Sequence, residues 1–443
     1  MQALTLFMIA AVTTFEFFTR GDPWGRWAFL PNGSQYIPEL LSAMTAALVI
    51  FAGPRGRFEL VRAPYWFAFG VLLVTMAAGV ATNGVEAGPI FAGMRTYLRA
   101  IPWFFVPVIY AFTELQLRTQ LRLLLLVCVL QSPLALQQTL TTVSRGFEYT
   151  GDFTVGTLLL SPTLSIFLIC GISIAAAFFA RKRLTLWQFL FVFAALLFPA
   201  AINETKATLV LLPIGVVTAF LAASPVGKRL RYALGAGGVL ALFIVLFVPI
   251  YDYLLENREG STPIVEMASD PELLRKYLIY GKGVGATGEV GKGDAMLVSL
   301  RIAAADPVHL AFGYGIGNVS ESALGYGFTG RYFRVYGPFK VTSFGAVVLE
   351  WGLLGLVSLG ALMFLVYKDS LVVAARDRGI LGAIAAGMAG VTVVMLVSIV
   401  YTDVVAPASL SYLFWYLAGL VASGRSRVML EANRSSSAGC QMN

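Results

Sequence analysis

The chain has 443 residues, of which 58% are apolar and 13% charged, with a mean hydropathy of +0.77. Soluble domains run at roughly 45–50% apolar and about 25% charged, and disordered chains are poorer still in apolar residues; both classes are excluded, and a polytopic helical membrane protein is left. The net charge of +8 reads better as Lys and Arg gathered on one face of a bilayer than as a nucleic-acid footprint, so no nucleic acid is expected.

Apolar runs of spanning length, about 17–25 residues each, fall near 2–18, 37–52, 64–82, 99–113, 121–142, 155–180, 185–203, 207–223, 233–251, 344–366, 380–401 and 404–422. The expectation is an all-α polytopic membrane protein of about 12 transmembrane helices. The first run has no basic leader and no small-residue cleavage site, so it reads as a retained helix. The chain divides into a bundle (1–251), an external loop or cap (252–343), three further spans (344–422) and a polar, disordered tail (423–443).

The loops set the orientation. One alternating set is dense in base: Arg55, Arg57 and Arg62; Arg118 and Arg122; Arg181, Lys182 and Arg183; Lys228, Arg229 and Arg231; Lys368, Arg376 and Arg378; Arg425, Arg427 and Arg434. By the positive-inside rule these are cytoplasmic, with both termini inside. The loop 252–343 is then external, and far longer than its fellows. Loops of that length carry function or are disordered. Ser269-Asp270-Pro271-Glu272 reads as a capping box opening a helix over Glu272–Tyr280. Asp294 is expected to cap a second, over Ala295–Ala305. A partly helical cap outside the membrane follows.

Several residues in this frame suit chemistry. Gly281–Gly293 imitates a phosphate loop, but Gly291-Lys292 is followed by glycine, not the required Ser or Thr. It reads as a joint between loop helices, with a backbone anion nest as the alternative. Lys206, in Asn203-Glu204-Thr205-Lys206, lies between two apolar runs, where charge is costly and usually functional; the bland reading is an exposed Glu204–Lys206 pair. Arg95, Arg99, Arg145, Arg331, Arg334 and Lys340 are external, where topology does not favour positive charge. Arg331 and Arg334 are interleaved with Tyr326, Tyr332 and Tyr336. Guanidinium forks suit phosphates and aromatic faces suit sugar rings; the alternative is an interfacial belt on lipid headgroups. His309, the single histidine, lies in an apolar stretch and reads as structural. With one histidine and no C-x-x-C, no His-based metal site is expected, while oxygen ligation of Mg or Ca stays open.

Asp306-Pro307, then Gly313-Tyr314-Gly315-Ile316-Gly317, then Glu350-Trp351-Gly352-Leu353-Leu354-Gly355-Leu356, resembles the O-antigen ligase/polymerase superfamily of Wzy-type polysaccharide polymerases and WaaL-type ligases. The span count and the single large loop agree with that resemblance, and Thr205-Lys206 stands where the family often has Ser-Arg. One departure is clear: where the family often carries His-Asn, this chain has Val341-Thr342, which favours a polymerase over a ligase. The resemblance implies a GT-C-like glycosyltransferase in the bacterial inner membrane with its active site facing the periplasm. Its substrates would be glycans on undecaprenyl pyrophosphate, as donor and as acceptor. Membrane lipids, a chain-length regulator and a flippase would be its neighbours, and no metal or cofactor is implied. Lys206, Arg331, Arg334, Arg95 and Arg99 would bind pyrophosphate. Tyr326, Tyr332 and Tyr336 would bind sugar, and Lys206, Glu350 and Lys340 would be catalytic. The rival readings are a ligase transferring glycan to a lipid A core and a flippase or transporter for a lipid-linked glycan.

Overall fold

A computed structural model describes the chain except residues 53–56, 147–150, 204, 256–265, 267–268, 273–290 and 441–443. Among the described residues the fold is all helical, without strands. The helices are α1 (Gln2–Arg20), α2 (Ile37–Ala52), α3 (Ala63–Asn83), α4 (Ala87–Tyr97), α5 (Pro102–Ile109), α6 (Glu114–Ser144), α7 (Ser161–Ala180), α8 (Leu186–Ile202), α9 (Thr208–Ala223) and α10 (Arg229–Leu255). After the described part of the cap, α11 (Lys292–Ala304) and α12 (Pro307–Phe312), come α13 (Ser343–Arg376), α14 (Ile380–Ser398) and α15 (Ala408–Cys440).

Local sequence explains many of the boundaries. Thr113 with Gln116, and Thr185 with Gln188, form reciprocal capping boxes that open α6 and α8. Pro64, Pro162 and Pro307 stand in the first turns of α3, α7 and α12, where the missing N–H costs nothing. Packing then sorts helices that hydropathy cannot tell apart. The α7 and α14 spans are 83% and 78% buried, whereas that of α10 is 18% buried and lies on the rim. All three are apolar all round, which suits either lipid or a protein neighbour.

Eight helices among the described residues are long and apolar enough to cross a membrane: α1, α2 with the turn before it, α3, α6, α7, α10, α13 and α14. The chain is thus a multi-pass α-helical membrane protein, and eight of the twelve apolar runs are matched by full-length helices among the described residues. The run 99–113 yields only the eight-residue α5, which carries Pro107 inside it, and a proline ring clashes with the preceding turn. Helices α8 and α9, at 17 and 16 residues, are apolar but short.

Three smaller expectations change. Asp270, not Ser269, accepts the Glu272 amide, at 2.8 Å, because Ser269 turns back to the Glu266 carbonyl. Asp294 lies inside the first turn of α11, with Gly291 in the cap position. The tail 423–443 is not disordered throughout: α15 continues to Cys440. The remainder of the expected helix Glu272–Tyr280, and Gly281 through Val290 of the glycine-rich joint, lie outside the described residues.

Helix α13 carries a buried acid toward each end. Glu350 and Asp369 are both 0% exposed and lie on either side of the break at Gly352. Asp369 receives Arg62 at 2.6 Å, Arg425 at closer range and the Tyr65 hydroxyl at 3.0 Å, tying α3, α13 and α15 together. Arg181 and Arg183 donate to the carbonyls of Ala374, Asp377 and Arg378 just beyond. One end of α13 is therefore a collar of arginines, and the cap sits at the other.

Candidate functional site

The site begins with a break in α13. Gly352 has φ +69° inside the helix, a left-handed conformation that glycine adopts without steric cost. The break frees the carbonyls of Leu349 and Glu350 from the helical ladder. The Tyr314 and Gly315 amides take them, at 2.7 and 3.1 Å. The segment Gly313–Gly317 thus lies directly on the kink, as backbone against backbone. Gly317, at φ +80°, passes so close to α4 that a Cβ there would collide with the Pro89 carbonyl. Asn83, at the end of α3, donates its amide to the Gly313 carbonyl at 3.1 Å. The spaced glycines read in the sequence are what this fit requires.

The Glu350 side chain locks the segment. Its Oε1 accepts from Lys340 Nζ and from Ser320 Oγ, each at 2.6 Å, and its Oε2 accepts from the Gly317 amide at 3.0 Å. Lys340 also meets Ser320, and its Nζ stands 5.8 Å from the centre of the Tyr97 ring. Burial alone would depress the Lys340 ammonium, but Glu350 and Tyr97 outweigh it, and the net effect holds its pKa above the ordinary lysine value. The charged form of the lysine is thereby favoured, and its contact with Glu350 is a salt bridge. Both carboxylate oxygens are occupied, so the group is an anchor in this conformation, with no lone pair turned to solvent. Lys340 and Glu350, both expected to be catalytic, come together, and as a pair they hold the cap to α13.

Above the anchor the cap presents charge and aromatic surface. Tyr314 packs against Tyr332 and Tyr336 at 5.0 and 5.1 Å between ring centres, and His309 stacks on Tyr314 at 4.1 Å. His309 is further held by Asn83, 2.8 Å from its Nε2, which accords with a structural histidine. Arg331 lies 5.7 Å from the Tyr332 ring and Arg334 5.8 Å from the Tyr326 ring. Both arginines are exposed, as is Tyr326 at 81%. Tyr332 and Tyr336 are half-buried as a stacked pair. This surface has guanidinium groups and ring faces turned outward, the equipment for an anionic, sugar-bearing ligand.

The other expected residues are held by other groups. Arg95 and Arg99 share Glu39, at 3.0 and 2.5 Å, and Arg99 also donates to the Ala406 carbonyl; they brace α2 and α4. Lys206 follows a turn held on α7, where Asn203 donates to Ser161 and Ser165 and accepts from the Thr205 amide. Thr342 caps α13 by accepting from the Gly345 amide. Sequence reasoning missed Ser320, Tyr97 and the Gly317 amide as partners of the ion pair; no local pattern marks them, because Gly317 and Ser320 share one turn while Tyr97 comes from the end of α4. Among the described residues no three His, Cys, Asp or Glu side chains gather into a metal-ligand set. No protein-family model matches the chain, and no curated protein matches it.

Proposed function

We propose that the protein is an integral-membrane glycosyltransferase that polymerises oligosaccharide units carried on undecaprenyl pyrophosphate, at the periplasmic face of the bacterial inner membrane. The observation that carries this reading is the outward-facing set of Arg331, Arg334 and Tyr326, mounted on a segment clamped to the kink of α13. The arginine collar around Asp369 at the opposite end of α13 agrees with a cytoplasmic assignment for that end, and so with both termini inside. In this reading α4 with α5, α8, α9 and α15 complete about twelve crossings of a GT-C-like bundle.

The chemistry asks little of the protein. A hydroxyl of the acceptor glycan attacks the anomeric carbon of the donor. The bond from that carbon to the phosphate oxygen breaks, and undecaprenyl pyrophosphate departs with the electron pair and takes up the hydroxyl proton. Arg331, Arg334 and Lys206 balance the charge that develops on the leaving group. Lys340 and Glu350 keep the cap in register. Orienting two membrane-tethered substrates supplies much of the rate. The test is a product gel: purified protein with lipid-linked repeat units, in EDTA, beside an Arg331→Ala/Arg334→Ala variant and a Lys206→Ala variant. A ladder that is lost in the variants supports the reading. A single transfer onto an added acceptor lipid means a ligase, and no transfer by folded wild-type protein overturns the proposal.

A further inference from the structure

At the end of α13 away from the cap, Asp369 Oδ1 accepts from both Arg62, at 2.6 Å, and Arg425, while its Oδ2 accepts from the Tyr65 hydroxyl at 3.0 Å. Two guanidinium groups bonded to one oxygen atom necessarily lie side by side. Among the described residues neither has a second carboxylate partner, exposed Glu59 on the preceding turn included. Two arginines against one aspartate leave one surplus positive charge. The carboxylate is wholly buried, whereas the Arg62 and Arg425 side chains are 29% and 22% exposed. The cations can thus be reached from outside and the anion cannot. Each arginine spends a single nitrogen on Asp369, although a guanidinium carries several more N–H donors. Arg62 Nε is buried with no acceptor among the described residues.

We propose that Arg62 and Arg425 form a binding site for the phosphate of an anionic phospholipid, in the leaflet away from the cap. Their place in the chain supports a lipid as the ligand. Arg62 directly precedes the spanning helix α3, and Arg425 follows the apolar part of α15, so the pair stands at the edge of the bilayer. Trp66, one turn beyond Arg62, is exposed and stacks on Phe105 at 5.4 Å; tryptophans of this kind sit at headgroup level. Helix α3 opens without a side-chain cap, and its N-terminal partial charge has the sign of the arginines. Farther along α3, Phe67 and Val74 are exposed on one face, where acyl chains can lie. The surplus of one charge matches the single phosphodiester of phosphatidylglycerol. Basic pockets between transmembrane helices hold anionic headgroups in this way, and guanidinium forks meet phosphate oxygens in pairs. A bound lipid adds a further partner to the joint of α3, α13 and α15, so it stabilises the bundle. The site stands whether or not the protein transfers glycans.

The experiment is native mass spectrometry of the full chain, released from detergent supplied with equal phosphatidylglycerol and phosphatidylcholine. Melting curves with each lipid, and with inorganic phosphate, accompany it. Wild type is expected to retain phosphatidylglycerol in preference to phosphatidylcholine and to melt higher with it, while inorganic phosphate leaves the melting temperature in place. Arg62→Gln leaves Arg425 to balance Asp369, so the fold stands while retention of phosphatidylglycerol falls roughly tenfold, the weight of one charge-assisted hydrogen bond. Arg425→Gln makes the same charge change from α15 and keeps the test open should one variant fold poorly. Asp369→Asn raises the surplus to two and tightens phosphatidylglycerol, a gain that loss of a purely structural pair does not produce. Equal retention of the two lipids by wild type overturns the proposal, because the contact is then with acyl chains. So does a melting shift in inorganic phosphate equal to that in phosphatidylglycerol, because the site then takes a free anion. Undiminished retention in the arginine variants, or weaker retention by a folded Asp369→Asn protein, overturns it as well.

Discussion

Lys340 and Glu350 meet at 2.6 Å, with the carboxylate wholly buried and the lysine arriving from the cap. A buried pair is costly to break, since removing one partner strands the other charge. It is not necessarily stabilising against a well-packed apolar substitute. Glu350→Gln is expected to lose about 3–5 kcal/mol of stability, and Glu350→Leu/Lys340→Met to recover much of that loss. Thermal unfolding in detergent, read as a double-mutant cycle, checks this; a Glu350→Gln protein that melts like wild type would remove the anchor from the account.

The kink gives a second expectation. Gly352 needs a positive φ, and a Cβ there would strike the Ala311 carbonyl. Gly352→Ala combines roughly 1–3 kcal/mol of strain, in a backbone region open essentially to glycine alone, with a clash against the Ala311 backbone. The yield of folded protein should drop sharply. Gly360→Ala, in the same helix with open space around it, should be neutral or slightly stabilising, as alanine favours helix over glycine by about 1 kcal/mol.

Arg331 and Arg334 should behave oppositely to the anchor. Both are exposed, and exposed substitutions usually stay within about 0.5 kcal/mol. Arg331→Ala/Arg334→Ala is expected to melt within a degree or two of wild type while losing roughly 100-fold in glycan transfer, on the order of one or two lost charge contacts. Transfer rates measured beside melting curves separate the two effects; a large fall in melting temperature would make the arginines structural.

Stability against pH carries the mark of Lys292. Its folded value, near 8, lies below the unfolded lysine's value of about 10.4. Between those values the unfolded chain binds the extra proton, so this group makes the protein more stable as pH rises across that window. Lys292→Met should remove that rise. Paired melting series of the two proteins from pH 7.5 to 10 read the difference directly, and parallel curves would contradict it.

Much of the fold is legible in the residues, and less of the site. The runs 64–82 and 344–366 fall within α3 and α13, because a helix that must satisfy its backbone without water announces itself by unbroken apolarity. The run 99–113 fails as a single span for a reason visible in hindsight, its Pro102 and Pro107. The spaced glycines of Gly313–Gly317 signalled close approach of backbone, but their target, the carbonyls freed at Gly352, lies more than thirty residues away.

Composition and pattern alone determined that this is a multi-pass helical membrane protein with a long stretch of less apolar chain between its ninth and tenth apolar runs. Those properties follow from hydropathy and loop length, which are sums over neighbouring residues. Only the tertiary structure decided that Glu350 is an anchor, that Arg95 and Arg99 are bound to Glu39, and that Lys292 sits half-buried over Tyr401. Whether a charge is free or paired depends on what the fold brings within a few ångströms of it, and those partners come from helices far apart in the chain.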